Sequence, residues 1–223
     1  MYVKFDVYKR LGDFTLKASG EVGEGVTCAV GPNGSGKTTL LKILAGLLKP
    51  DEGRVEESGV ASKVYVGDFY APPDAAGIDV VLAGRTRFSG RPVGRSDEEA
   101  ARRYAELLDA GPLLSRRWGT LSGGQRQRLV IAAALAAEAD LLLLDEPLSN
   151  LHGDWRERVM DVLRKYAVGR AVVLSTHHGD VLSCCQRLIE LQDGVVTWAG
   201  PAASYSGRLR EARCLKDGVG LNP

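Results

Sequence analysis

The stretch Gly31-Pro-Asn-Gly-Ser-Gly-Lys37-Thr38 governs how the rest of this chain is read. It fits G-x-x-x-x-G-K-[ST], the pattern of a loop that cradles phosphate groups. Before it, Val26-Thr-Cys-Ala-Val30 is apolar and β-prone, which predicts a buried strand. After it, Leu40, Leu41, Ile43, Leu44, Leu47 and Leu48 recur at helical spacing, with Pro50 and Gly53 past the end. Strand, glycine turn and helix therefore come in the order that phosphate binding requires. Gly31, Gly34 and Gly36 allow close backbone approach, and N–H groups at a helix start point toward an anion. Pro32, Asn33 and Ser35 complete the turn. Lys37 is placed to reach β- and γ-phosphates, the Thr38 hydroxyl to ligate Mg²⁺, and Thr39 to add a hydroxyl near the α-phosphate. An ordinary glycine turn is the plain alternative, and correct flanks on both sides argue against it.

At 223 residues, 44% of them hydrophobic, the chain suits one large domain with a substantial core. Its 29 basic and 28 acidic residues leave a net charge of +1, so no nucleic-acid partner is expected. No uninterrupted apolar run approaches membrane-spanning length. The opening Met1-Tyr-Val-Lys-Phe-Asp lacks the apolar segment of a secretion signal. Cys28, Cys184, Cys185 and Cys214 show no zinc spacing, and the adjacent pair disfavours a structural disulfide. Buried thiols in a reducing cytosol are the expectation.

Short β-prone runs at Val3–Tyr8 and Phe14–Val22 predict a small antiparallel edge beside the 26–30 strand. Val64-Tyr-Val66 reads as another short strand, followed by a loop at Ala71-Pro-Pro73. From Asp79 to about Leu114 the pattern is helical, broken by the Gly-, Arg- and Pro-rich stretch from Arg85 to Gly94. Leu141-Leu-Leu-Leu-Asp145-Glu146 is a fully apolar strand ending in two carboxylates, as suits a parallel strand buried on both faces. Carboxylates at such an end lie where ligands bind in open α/β sheets. Trp155, Val159, Val162, Leu163 and Tyr166 share one face of a helix, Ala171–Ser175 is a further strand, and Asp193-Gly194 turns a terminal hairpin. The expected class is α/β: one domain over residues 1–223, with a mainly parallel P-loop core over about 1–70 and 120–205. A helical subdomain over about 72–120 is inserted into it. The last twenty residues suggest nothing specific.

Gly31–Thr38, Leu121-Ser-Gly-Gly-Gln125, Leu141–Glu146 and His177 stand in the order of the ATP-binding-cassette (ABC) ATPases. The chain resembles that family over roughly residues 1 to 205. A P-loop alone marks many NTPases, whereas Leu-Ser-Gly-Gly-Gln between a P-loop and a Leu₄-Asp-Glu strand is far more specific. Asp145 is chemically able to hold Mg²⁺ through its shell, and Glu146 to act as base toward water. Ser122 and Gly124 open a helix and form an anion site. The resemblance implies that Leu121, Ser122, Gly123, Gly124 and Gln125 face ATP held by the partner subunit's P-loop, in a head-to-tail pair of cassettes. It also implies that His177 contacts the γ-phosphate. His178 stands where the family usually has an acidic residue.

Three departures bear on function. The family's glutamine after the strand that follows the P-loop helix is replaced by Asp68, and no glutamine occurs between Thr38 and Gln125. A carboxylate there is able to ligate Mg²⁺ but donates no hydrogen bond unless protonated. His152 occupies the place of an aspartate that joins the two active sites across the dimer. Leu11 falls where an aromatic stacks on adenine, although Tyr8 and Phe14 lie nearby.

The segment Asp79–Phe88 is similar to metal-chelate importer ATPases, and Lys9–Phe14 is similar to molybdate or tungstate importer ATPases. The resemblance implies an ATPase using ATP and Mg²⁺, paired with a second cassette, more readily an identical one. It further implies transmembrane permease subunits and a place on the inner face of the cell membrane. A soluble ABC ATPase of the iron–sulphur assembly type, or a poorly hydrolysing nucleotide-gated switch, remain alternatives.

Overall fold

The computed structural model describes residues 1–86 and 92–206. Within them one nine-stranded sheet runs in the order β4-β1-β2-β9-β8-β3-β7-β6-β5. The strands are β1 Tyr2–Leu11, β2 Phe14–Gly23, β3 Gly25–Val30, β4 Glu52–Ser58, β5 Lys63–Val66, β6 Leu141–Leu144, β7 Ala171–Thr176, β8 Arg187–Gln192 and β9 Val195–Pro201. The helices are α1 Lys37–Leu44, α2 Gly77–Thr86, α3 Arg95–Glu106, α4 Gly123–Ala136 and α5 Gly153–Tyr166. Strands β5, β6, β7, β3 and β8 are parallel, whereas β1 pairs antiparallel with both β2 and β4. The expected α/β class with a small antiparallel edge is what forms.

Burial explains the strand chemistry. In β6 all four leucines are buried: Leu142 and Leu144 face a core shared with α4 and α5, and Leu141 and Leu143 a second core shared with α1. A strand covered on both faces has no solvent side, so it carries no polar residue. β1 alternates instead, burying Val3, Phe5 and Val7 between exposed Lys4 and Asp6. The charged outer strand β4, Glu-Gly-Arg-Val-Glu-Glu-Ser, lacks a hydrophobic pattern and is missed by periodicity. Pairing with β1 forms it, and its charges suit an edge.

Two expectations need correction. The helix after Gly36 stops at Leu44, four residues before Leu48. Gly46 adopts a left-handed φ of 75° and turns the chain out, leaving Leu47 exposed. Among the described residues the cysteines are not free thiols. Cys28, in the middle of β3, is bridged to Cys185 with Cα atoms 6.0 Å apart, and Cys184 is also in a disulfide. Adjacency of Cys184 and Cys185 excludes only a bond between them. Cys214, most of the stretch after Tyr205, and part of the Arg85–Gly94 break lie outside the described residues.

Candidate functional site

β3, β5, β6 and β7 are neighbours or near neighbours in the sheet, and the loops leaving their C-terminal ends carry Gly31–Gly36, Gly67-Asp68, Asp145-Glu146 and His177. That edge is where an open parallel sheet binds ligands. Gly36 caps α1 with a left-handed φ of 102°. A Cβ there would lie 2.9 Å from both Leu16 Cδ1 and Phe14 Cζ, so a side chain has neither the conformation nor the room. The Lys37 ammonium is buried and donates to the carbonyls of Gly31 at 2.9 Å and Pro32 at 3.1 Å. Asn33, Gly34, Gly36, Lys37, Thr38 and Thr39 line a cavity of about 300 Å³, with Phe14 and Glu146 completing it.

At the end of β6 the two carboxylates are held differently. Asp145 Oδ1 accepts from the buried Ser175 hydroxyl at 2.6 Å, and Oδ2 from the Tyr65 hydroxyl at 3.0 Å. The Glu146 N–H donates to the same Ser175 oxygen at 2.8 Å, so Ser175 has its proton free for Asp145. Glu146 sits at φ 48°, a left-handed conformation that costs a non-glycine residue free energy, and the Ser175 bond helps hold it there. Its Oε2 lies 3.1 Å from His177 Nδ1. Its Oε1 is buried without a hydrogen bond, 3.5 Å from the Lys37 ammonium. A carboxylate only accepts, so Nδ1 of His177 carries the proton. His178 packs its ring 4.2 Å from that of His177, and burial, with His177 beside it, holds its pKa below the ordinary imidazole value.

The Leu121–Gln125 stretch is built as a helix start. Ser122 caps α4: its Oγ accepts from the Gln125 N–H at 3.3 Å, and its N–H donates to Gln125 Oε1 at 3.0 Å. Leu121 is buried, and Gly123 and Gly124 lie against Asn150. None of these five residues lines the cavity of Gly36 and Lys37. Asp68 lines a separate groove of about 360 Å³ that also takes in Phe69, Tyr70, Trp118, Gly123, Asp145 and Glu146. Glu146 thus borders both spaces. His152 is exposed at the cap of α5 and makes no side-chain capping bond. Arg156, one turn later, donates to the Leu151 carbonyl at 2.7 Å and pairs with Asp180 at 2.6 Å, joining the turn before α5 to the loop after His177. A larger concavity of about 860 Å³, lined from β1, β2, β4, β8 and β9, contains none of these groups.

Residues 17–149 match the family described as ABC transporter. The chain belongs to that family. The cassette is 36% identical over 219 residues to an ABC transporter ATP-binding protein of Halobacterium salinarum, covering 91% of this chain and 94% of that one. It is 34% identical to the molybdenum import ATP-binding protein ModC of Mesorhizobium japonicum, over 94% of this chain and 60% of ModC. The chain therefore spans less than two thirds of that relative's length. Among solved structures it matches a metal-chelate type ABC transporter at TM-score 0.78 and 26% identity, over 90% of this chain and 83% of the other. A dimeric ATP-binding cassette in a post-hydrolysis state with ADP and phosphate matches at TM-score 0.78 and 27% identity, over 91% and 100%. The cassette is an ATPase domain with the P-loop NTPase fold.

Sequence reasoning left the aromatic near the nucleotide cavity open. In the cassette Phe14 lines that cavity, while Leu11 ends β1 exposed. The ring of Phe14 covers Gly36 through the close approach of β2 to the P-loop, a contact that leaves no spacing in the sequence to read. The Thr38 hydroxyl and Asp145 carboxylate are hard oxygen donors, which fits Mg²⁺. Among the described residues no cluster of three or more His, Cys, Asp or Glu side chains is arranged to hold a metal. A magnesium ion here would draw its remaining oxygens from phosphate and water.

Proposed function

We propose that this cassette is the ATP-hydrolysing subunit of a membrane transporter of the importer type, working as a head-to-tail pair around two Mg-ATP. The observation that carries the reading is the placement of Glu146, with one oxygen near Lys37 and the other on His177, at the border of the P-loop cavity. In this reading Gly31, Pro32, Asn33, Gly34, Ser35 and Gly36 wrap the phosphates with backbone N–H groups, and Lys37 and Thr39 add charge and a hydroxyl. Thr38 and Asp145 would hold magnesium, which supplies charge neutralisation on the β- and γ-phosphates. Glu146 takes the proton of the attacking water, and His177, fixed through Nδ1, presents its other nitrogen to the γ-phosphate. Phe14 offers a face to the base.

The second half of each site comes from the partner's Leu121–Gln125, and absence of these residues from the P-loop cavity of their own chain supports that division. The partner is a second copy of this chain, and permease subunits dock on the groove beside Asp68. Residues 1–223 form one cassette, with a core over about 1–70 and 120–205 and a helical subdomain over about 72–120. The location is the cytoplasmic face of the membrane. Among the described residues no helix is long and apolar enough to cross a bilayer, so membrane passage falls to other subunits. The importer assignment draws on the ModC and metal-chelate relatives.

Two observations favour a second reading, a nucleotide-gated switch that hydrolyses slowly. Asp68 adds a third carboxylate to the groove of Asp145 and Glu146, and His152 brings no carboxylate to the dimer face. Mg-ATP hydrolysis across a range of protein concentrations separates the two. Specific activity that rises with concentration, and is abolished in Glu146→Gln while nucleotide binding persists, is the result expected of the ATPase pair. Turnover retained in Glu146→Gln would remove Glu146 as the base, and wild-type turnover equal to that variant's would favour the switch.

A further inference from the structure

β5 ends in Tyr65-Val66-Gly67-Asp68, and Tyr65 has no part in the reading so far. Its hydroxyl donates to Asp145 Oδ2 at 3.0 Å, while Ser175 from β7 donates to Oδ1 at 2.6 Å. The terminal torsion of an aspartate is broad when left alone. Two donors from strands on opposite sides of β6 remove that freedom and fix the plane of the carboxylate. Tyr65 is also seated by its own loop. A Cβ on Gly67 would stand 2.6 Å from the Tyr65 hydroxyl and 3.0 Å from two ring carbons, so the ring lies where only glycine permits.

We propose that Tyr65 is a positioning residue for magnesium: seated by Gly67, its hydroxyl aims the Asp145 carboxylate and ties it to the loop that carries Asp68. This rests on the reading of Asp145 as the carboxylate that faces magnesium. The arrangement has the form of an outer partner that orients a metal-holding group, whose loss typically lowers metal affinity about 10- to 100-fold. It also gives the Asp68 loop a direct route to the metal side of the site: any shift of Gly67 moves the tyrosine, and the tyrosine moves the carboxylate.

The test uses the full chain and a fluorescent ADP analogue, titrated in saturating Mg²⁺ and again in EDTA. Wild type should bind more tightly with Mg²⁺. Tyr65→Phe should lose about tenfold of affinity in Mg²⁺ and nothing in EDTA. Mn²⁺ retained with ADP, followed by electron paramagnetic resonance, should weaken in parallel. Gly67→Ala should act in the same direction, and the double variant should be no worse than the stronger single one, because both act through one contact. A Tyr65→Phe protein that keeps the full Mg²⁺ gain, or loses affinity equally in EDTA, overturns the proposal. A wild type with no Mg²⁺ gain at all overturns the reading of Asp145 beneath it.

Discussion

Replacing His152 with aspartate should stabilise this protein, contrary to the usual direction of a point change. His152 caps α5 with backbone angles of −74° and 166°, the extended geometry from which an aspartate oxygen accepts an N–H of the first turn. Its carbonyl already accepts from the Arg156 N–H at 2.9 Å, so the helix start is formed and lacks only the side-chain acceptor. His152 is exposed, so the change gives up little packing. A good cap contributes about 1 kcal/mol. A negative charge at the helix start adds roughly 0.3–1 kcal/mol, reduced here because Asp154 already occupies the first turn. The sum is about 1–1.5 kcal/mol. With a urea dependence of about 2–3 kcal/mol per molar, the unfolding midpoint should rise by about 0.5 M. His152→Asn should recover most of the gain, and the excess of aspartate over asparagine should shrink in high salt. The reasoning fails if neither variant raises the midpoint, or if His152→Ala costs as much as they were expected to gain.

Three further outcomes follow from the geometry. Cys185→Ser opens a bridge spanning 157 residues and should lower the unfolding free energy by about 2–5 kcal/mol in urea, with an unchanged midpoint as the contrary result. His178 has a folded pKa below its ordinary 6.5, owing to burial, His177 and Arg156, with Asp180 and Glu146 opposing. The unfolded chain therefore binds the proton more readily, and stability present above that value is lost as pH falls below it. His178→Gln should flatten this slope in denaturation curves taken between about pH 5 and 7. Arg85 joins α2 to Asp97 of α3 at 3.2 Å and to Glu138 after α4 at 2.6 Å, and Asp97 is fully buried. Arg85→Ala leaves those carboxylates short of a partner and should cost about 3 kcal/mol, and the loss should shrink when Glu138→Gln is made in the same chain.

What was legible in the sequence is what is local. Gly31–Thr38, Leu121–Gln125 and Leu141–Glu146 each write their chemistry in consecutive residues, because a glycine turn, a helix cap and a buried strand end are decided within a few bonds. The tie between Tyr65 and Asp145 spans 80 positions and that between Ser175 and Asp145 spans 30, so neither leaves a spacing to read. β4 was missed because an edge strand satisfied by one neighbour needs no hydrophobic alternation. The end of α1 was missed because Leu47 and Leu48 continue a leucine pattern that Gly46 has already broken. Cys28 and Cys185 looked like separate buried side chains because only the parallel pairing of β3 with β8 brings them together.

Arg156 grips the Leu151 carbonyl with one nitrogen and Asp180 with two others, so the turn at Ser149–His152 and the loop past His177 share a single rigid bracket. Two surface segments that look independent along the chain therefore have few separate degrees of freedom. Asp180 stands three residues past His177, so a shift of either segment changes the geometry of this bracket. The bracket joins the segment after His177 to the turn before α5 through one side chain in the first turn of that helix.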